Sequence, residues 1–280
     1  MIITKLNGGL GNQLFQYALG RHLANIKKTT LKLDINRYQQ KNSIRQYKLN
    51  NFNITENIAT REEIKKLKKF SKIPFLSKYK KEKSRDFDSS ILSTKNNSYL
   101  EGYWQSEKYF QDVKDIIRKE FTLKNSSSDS FNKLNKKILT AGNNSVALHV
   151  RHGDYSQDPK KNERHTALPL RYYEKAIKLI SEKITNPFFF VFSDDIEWCK
   201  QNLKLDNVYY IENKNLPDYE ALIAMSKCKH QIIANSSFSW WGAWLNSNSN
   251  KTVIAPTPWY NDLKINMDDR LPGNWIRISV

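Results

Sequence analysis

The sequence predicts an α/β protein of two domains, and three observations carry that reading. In the second half, short apolar runs alternate with helical patterns: Val146-Ala147-Leu148, Phe188 to Phe192, Gln231 to Ala234 and Val253 to Ala255 each lead through a polar turn toward the next element. Strands alternating with helices predict a parallel sheet covered on both faces. The chain also opens with one such unit, the strand Ile2 to Leu6, a glycine turn and a helix. Between the halves lies a polar stretch, Asn125 to Asp129, that reads as a linker. At about 150 residues per domain the chain accommodates two, expected as 1–135 and 136–280, facing each other across a cleft.

Composition narrows the class. The chain is 39% hydrophobic and 12% aromatic, enough for a core. No stretch approaches the ~18 consecutive apolar residues of a membrane span, and the N-terminus shows no signal-peptide pattern, so a cytoplasmic location is expected. Cys199 and Cys228 are expected as free thiols. The net charge of +18 owes much to lysines of the first half, such as Lys65-Lys66, Lys68-Lys69 and Lys78 to Lys83. Such charge serves a solvated face, an anionic membrane surface or nucleic acid. No zinc pattern, RNA-binding aromatic signature or helix-turn-helix accompanies it, so no nucleic-acid partner is expected. Peripheral contact with the inner face of an anionic membrane stays open.

Taken in order, Gly8-Gly9-Leu10-Gly11-Asn12 is the first turn and Gln13 to Asn25 its helix. Glycines there let backbone approach a ligand, and a helix N-terminus favours an anion. The spacing fails the dinucleotide fingerprint, with Asp34, at the end of a second strand Leu31 to Asp34, a weak acidic candidate. A helix is expected from Thr60 to Phe70, with Glu62 and Glu63 in its first turn. Ser71 to Ser90 reads as a surface segment. Tyr99 to Phe110 is aromatic, and Tyr103 and Trp104 are candidates for a sugar site or for the core. Helices follow at Asp112 to Phe121 and Ser130 to Leu139.

The segment His149 to Tyr155, HVRHGDY, then places two imidazoles, a guanidinium and a carboxylate beyond a buried strand. In open α/β sheets that is where ligands bind. Arg171 to Lys183 is a helix behind Pro169. Phe188 to Phe192 ends in Ser193-Asp194-Asp195, where a carboxylate caps the next helix or meets a base and ribose. Val208 to Ile211 is a strand and Tyr219 to Ser226 a helix. Asn235-Ser236-Ser237-Phe238-Ser239 then offers donors to a phosphate ahead of the helix Trp240 to Leu245.

Four segments together resemble the bacterial α-1,2-fucosyltransferases of glycosyltransferase family 11: GGLGNQLFQYALG (Gly8 to Gly20), HVRHGDY, FVFSDD (Phe190 to Asp195) and NSSFSWWGAWL (Asn235 to Leu245). They fall in that family's order and run nearly end to end. The resemblance implies a GT-B-like fold of two Rossmann-like domains, an acceptor-side N-terminal one and a donor-binding C-terminal one. It implies inverting transfer of fucose from GDP-fucose to O2 of a terminal galactose on a glycan acceptor, with no metal and no cofactor.

By residue, it implies that Arg151 grips the β-phosphate, with His149 and Asp154 shaping that site. Asp194 or Asp195 would meet the guanine. Ser236, Ser237, Phe238 and Ser239 would receive the phosphates, and Gly9, Gly11, Asn12 and Gln13 would approach the donor from the first domain. The family pattern H-x-R-R-x-D is broken at His152, which lacks the guanidinium fork. Asp154 and His152 are the candidates for the base that takes the acceptor proton. The competing readings are a fucosyltransferase of another linkage or acceptor, and a basic polyanion- or membrane-binding module, which predicts salt-sensitive binding and no selectivity for GDP.

Overall fold

A computed structural model describes residues 1–69, 78–153, 167–212, 216–260 and 269–280. They form two compact units. The first comprises Met1–Asn125 and also takes Asp269 and Arg270; the second takes the remainder.

In the first unit β1 (Ile2–Lys5), β2 (Leu31–Asp34), β3 (Tyr79–Lys81) and β4 (Ser98–Glu101) make a parallel sheet in the order β2-β1-β4-β3. Helix α1 (Leu10–Ile26) begins three residues before the helix read from the sequence, because Gly8 turns the chain at φ +85° and Gly9 is already the N-cap. Such a φ favours glycine. Much of α1 is buried, including the polar Gln13, Gln16 and His22. Gly20 sets its distance from the sheet: a Cβ there would lie 2.3 Å from Thr4 Oγ1 and 2.7 Å from Leu31 Cδ1.

Helix α2 (Arg61–Lys68) starts at a capping box in which the side chains of Thr60 and Glu63 each accept the other's backbone N–H. Helix α3 (Lys114–Glu120) ends in a buried carboxylate. Glu120 accepts from Tyr17 Oη at 2.7 Å and Arg21 Nε at 2.8 Å, which ties α3 to α1. Burial and the Glu120 charge raise the Tyr17 phenol far above its ordinary value, so Tyr17 remains a donor. Strand β3 lies where the sequence suggested a surface segment, and β4 leads into the stretch read only as aromatic.

The second unit is a six-stranded parallel sheet. Its strands are β5 (Ser145–Val150), β6 (Phe188–Ser193), β7 (Val208–Tyr210), β8 (His230–Ile232), β9 (Val253–Thr257) and β10 (Ile276–Ser279), in the order β10-β9-β8-β5-β6-β7. Its helices are α4 (Asp129–Ala141), α5 (Leu170–Lys183), α6 (Ile196–Asn202), α7 (Asp218–Lys227) and α8 (Ser237–Leu245). On α5 the residues Tyr172, Tyr173, Ala176 and Ile180 face a core that includes Val146, Leu148, Val191 and Ile232. Each large aliphatic side chain buried there contributes roughly 1.5–3 kcal/mol.

A boundary at 135/136 would cut α4, which belongs whole to the second unit. Ser128 caps α4 and also donates to Glu220 of α7 through its backbone N–H (2.8 Å) and its hydroxyl (2.5 Å), fixing the helix at its start. Cys199 and Cys228 are buried and unbridged. No helix among the described residues is long and apolar enough to cross a membrane.

Candidate active site

In the second unit the polar turns follow three adjacent strands. Strands β5 and β6 pair residue for residue up to Val150 and Ser193, so Arg151 and Asp194 leave the sheet side by side. Arg151 Nη1 lies 3.1 Å from Asp194 Oδ2, and the other oxygen of that carboxylate accepts the backbone N–H of His152 at 2.9 Å. One acidic side chain therefore fixes both the guanidinium and the loop that carries it.

Asp195 holds the next residue. Its Oδ2 lies 2.9 Å from His152 Nδ1, while its Oδ1 caps α6 by accepting the Trp198 N–H at 3.0 Å. The Asp195 backbone N–H in turn donates to Ser193 Oγ at 2.9 Å. The His152 ring stacks on the Trp198 indole, with centroids 4.5 Å apart and planes at 18°. An aromatic face beneath and a carboxylate at Nδ1 fix the imidazole's orientation and direct Nε2 away from Asp195. Asp194 and Asp195, expected against guanine, are thus engaged with Arg151 and His152. Asp154, expected beside them, lies outside the described residues.

The third turn follows β8. Ser236 caps α8 through the Phe238 N–H at 3.3 Å, and Ser237 and Phe238 keep partial exposure there. Ser239 is fully buried, and its hydroxyl bonds the carbonyls of Ala234 and Ser236, so it shapes the turn from inside. His149 on β5 is only 6% exposed. Its ring lies 5.7 Å from that of Phe238, and its Nδ1 has no hydrogen-bond partner among the described residues. Burial first, then the nearby Arg151 charge, push its pKa well below the ordinary value; Asp194 opposes this. His149 is a neutral imidazole in the wall of the site, not a second cation.

In the first unit the glycine turn is braced from within. Gln13 is fully buried; its amide donates to the carbonyls of Gly8 (3.3 Å) and Gln46 (2.9 Å) and accepts the Lys48 N–H (3.0 Å). Its amide is spent on backbone, so it shapes the turn instead of meeting a ligand. Gln16 likewise accepts the Asn7 N–H and donates to the Gly102 carbonyl, both at 2.9 Å. Asn12 Oδ1 accepts from Gln105 Nε2 at 2.6 Å, and Gly11 is buried. Gly9 stays accessible, and a Cβ added there would meet nothing within 4 Å. Asp34 is buried and accepts from the Tyr99 hydroxyl at 2.6 Å and the Asn36 N–H at 3.0 Å, a structural role.

Of the two acceptor candidates, Trp104 is only 1% exposed and packs edge-on against Tyr109, so it belongs to the core. Tyr103 instead lines a cavity of about 340 Å³ with Lys5, Asn7, Lys81 to Arg85, Glu101 and Gly102. Sequence reasoning missed Trp198 and Glu82. An aromatic residue three positions after a capping Asp was the available signal for the first; nothing local marked the second.

With strand ends, helix N-terminus and glycine turn in place, comparison with known proteins gives the class. The sequence matches the description of Glycosyl transferase family 11 over residues 1–279. It is 36% identical over 299 residues to an α-1,2-colitosyltransferase of Escherichia coli, covering 100% of this chain and 99% of that protein. It is 33% identical over 305 residues to the O-antigen biosynthesis glycosyltransferase WbnK of Escherichia coli, covering 98% and 99%. Among solved structures it is similar to the NodZ α-1,6-fucosyltransferase co-crystallized with GDP, with TM-score 0.50, 12% identity, and 86% and 91% of the two chains covered. The chain belongs to glycosyltransferase family 11 and is a glycosyltransferase of GT-B-like α/β fold.

Proposed function

We propose that this enzyme transfers fucose from GDP-β-L-fucose to O2 of a terminal galactose on a surface glycan acceptor, with inversion and without a metal. The observation that carries the reading is the Arg151–Asp194 pair at the carboxyl end of β5. A guanidinium fixed in this way offers bidentate donors to the phosphate of a departing nucleoside diphosphate, and a preorganised cation stabilises charge as it develops. The first turn of α8, with Ser237 and Phe238, adds the positive end of a helix.

In this reading the second unit binds GDP-fucose, Gly9, Gly11 and Asn12 of the first unit remain donor-side residues, and Tyr103 of the first unit serves the acceptor. The C1–O bond to the β-phosphate breaks as the galactose O2 bonds the opposite face of C1. GDP leaves with the electron pair, and the hydroxyl proton passes to a base. His152 suits that task, since a proton on Nδ1 shared with Asp195 leaves the Nε2 lone pair to accept; Asp154 is the other candidate. The lysine-rich segments favour a cytoplasmic enzyme at the inner membrane surface.

The test is transfer from GDP-fucose to lactose and N-acetyllactosamine in EDTA, with linkage read by NMR. An α-1,2-linked product supports donor, linkage and metal independence together. Absence of both transfer and GDP binding overturns the reading in favour of a polyanion-binding protein. A second donor follows from the 36% identical colitosyltransferase. Colitose is fucose without its C3 hydroxyl, and competition between the two GDP-sugars separates the readings.

A further inference from the structure

We propose that the cavity beyond β3 and β4 is a subsite for an anionic group on the acceptor, a carboxylate or phosphate on the sugar next to the reacting galactose. This rests on the reading that the first unit serves the acceptor. The cavity, of about 340 Å³, takes four cations into its lining, Lys5, Lys81, Lys83 and Arg85, against two carboxylates, Glu82 and Glu101.

Both carboxylates are already engaged, each with one of those cations, which leaves the excess on Lys81 and Lys83. Glu101 Oε1 lies 2.9 Å from Lys5 Nζ, and its Oε2 accepts from the Tyr79 hydroxyl at 3.0 Å with Lys68 Nζ at 3.8 Å. Glu82 accepts the backbone N–H groups of Tyr103 (2.8 Å) and Trp104 (2.9 Å), with Arg85 Nη1 at 3.5 Å. Lys81 and Lys83 are exposed and face no carboxylate among the described residues. A concave wall with this excess of positive charge favours an anion there.

The wall is built, not a chance gathering of surface lysines. The double hydrogen bond of Glu82 clamps the 82–85 segment onto 102–104. Gly102 makes room for it: a Cβ would stand 2.4 Å from Glu82 Cβ and 2.7 Å from the Trp104 ring. Trp104 adopts φ +55° at that bend, and the Arg85 guanidinium sits 4.6 Å over the Tyr103 ring, its charge directed by a cation–π contact. Asn7, also in the lining, immediately precedes the glycine turn and donates to the Tyr103 hydroxyl at 3.3 Å. A cavity of this size fits one sugar ring with a charged substituent, and so suits an acidic glycan over a flat lipid surface.

The test is calorimetric binding of three probes to the protein: lactose, galactosyl-β-1,4-glucuronate and galactosyl-β-1,4-(glucose 6-phosphate). The two anionic disaccharides are expected to bind at least 10-fold tighter than lactose. That advantage should shrink with added salt and disappear in Lys81→Gln/Lys83→Gln. The tighter of the two identifies carboxylate or phosphate as the group. Equal binding of all three, binding of none, or an advantage that survives both salt and the double substitution overturns the proposal.

Transfer from GDP-fucose to lactose by the unsubstituted enzyme is measured alongside. If lactose is fucosylated and no anionic preference is found, this inference falls while the fucosyltransferase reading stands. If the anionic disaccharides bind selectively and no sugar is transferred, the subsite stands and the donor assignment falls.

Discussion

Asp194 holds Arg151 and the backbone of His152 with the two oxygens of one carboxylate, at 3.1 and 2.9 Å. Replacing it with Asn keeps an acceptor for the His152 N–H and removes the charge facing the guanidinium. A hydrogen bond to a charged group is worth about 1.5–3 kcal/mol. Asp194→Asn should therefore lower kcat/KM for the nucleotide-sugar about 10- to 100-fold with little loss of thermal stability. Steady-state kinetics beside a melting curve reads both, and unchanged kinetics would show that Arg151 needs no such partner.

The stack of His152 on Trp198 invites a paired substitution. Aromatic pairs of this kind contribute about 0.5–1.5 kcal/mol. Trp198→Ala is expected to weaken GDP binding about 2- to 10-fold by loosening the imidazole. His152→Arg, which restores the family pattern, should bind GDP at least as tightly as the parent chain. Titration calorimetry with GDP measures both; if His152→Arg lost the nucleotide, the residue would be doing something a guanidinium cannot.

A buried neutral imidazole makes stability depend on pH. His149 has a folded-state pKa far below its ordinary 6.5, through burial and then Arg151, with Asp194 opposing. Below pH 6.5 the unfolded chain binds a proton that the folded chain refuses, so this residue's contribution is lost as pH falls. The slope from one such site approaches about 1.4 kcal/mol per pH unit. Denaturant midpoints between pH 7.5 and 5 should fall, and His149→Gln should flatten that dependence. A parallel shift of both curves would assign the acid sensitivity to other groups.

Gly20 stands where α1 crosses β1 and β2. Gly20→Ala gains up to about 1 kcal/mol of helix propensity, but overpacking against Thr4 and Leu31 costs about 1–3 kcal/mol. Thermal melts should show a net loss of stability, with the helix displaced from the sheet. A stabilised variant would mean that Thr4 and Leu31 move aside at no cost.

Much of the second unit was legible because its strands are apolar along their whole length and end in distinctive polar turns. Strand Leu31–Asp34 and helices α5 and α7 fall within a residue or two of their expected bounds. Strand β3 was hidden because Tyr79-Lys80-Lys81 is half exposed and carries lysines, the composition of a solvated loop. What placed it in the sheet is pairing with β4, a contact made 20 residues away. The site shows the same division. Arg151 and the α8 turn announced themselves by residue type. That Gln13, Trp104 and Ser239 point inward, and that Asp194 and Asp195 hold Arg151 and His152, depends on side-chain direction, which residue type leaves undetermined.

The register of β5 on β6 has a consequence for how such a chain can diverge. Ser145 to Val150 face Phe188 to Ser193 without a bulge, and the Arg151–Asp194 pair continues that ladder by one step. Side chains alternate between faces, so losing or gaining a single residue inside either strand would exchange the side chains packed on its two buried faces and separate the pair. Descendants of this gene can therefore shorten or lengthen the connections between strands with comparative freedom. Length changes within these twelve positions would remove the fold and the guanidinium's anchor in a single event.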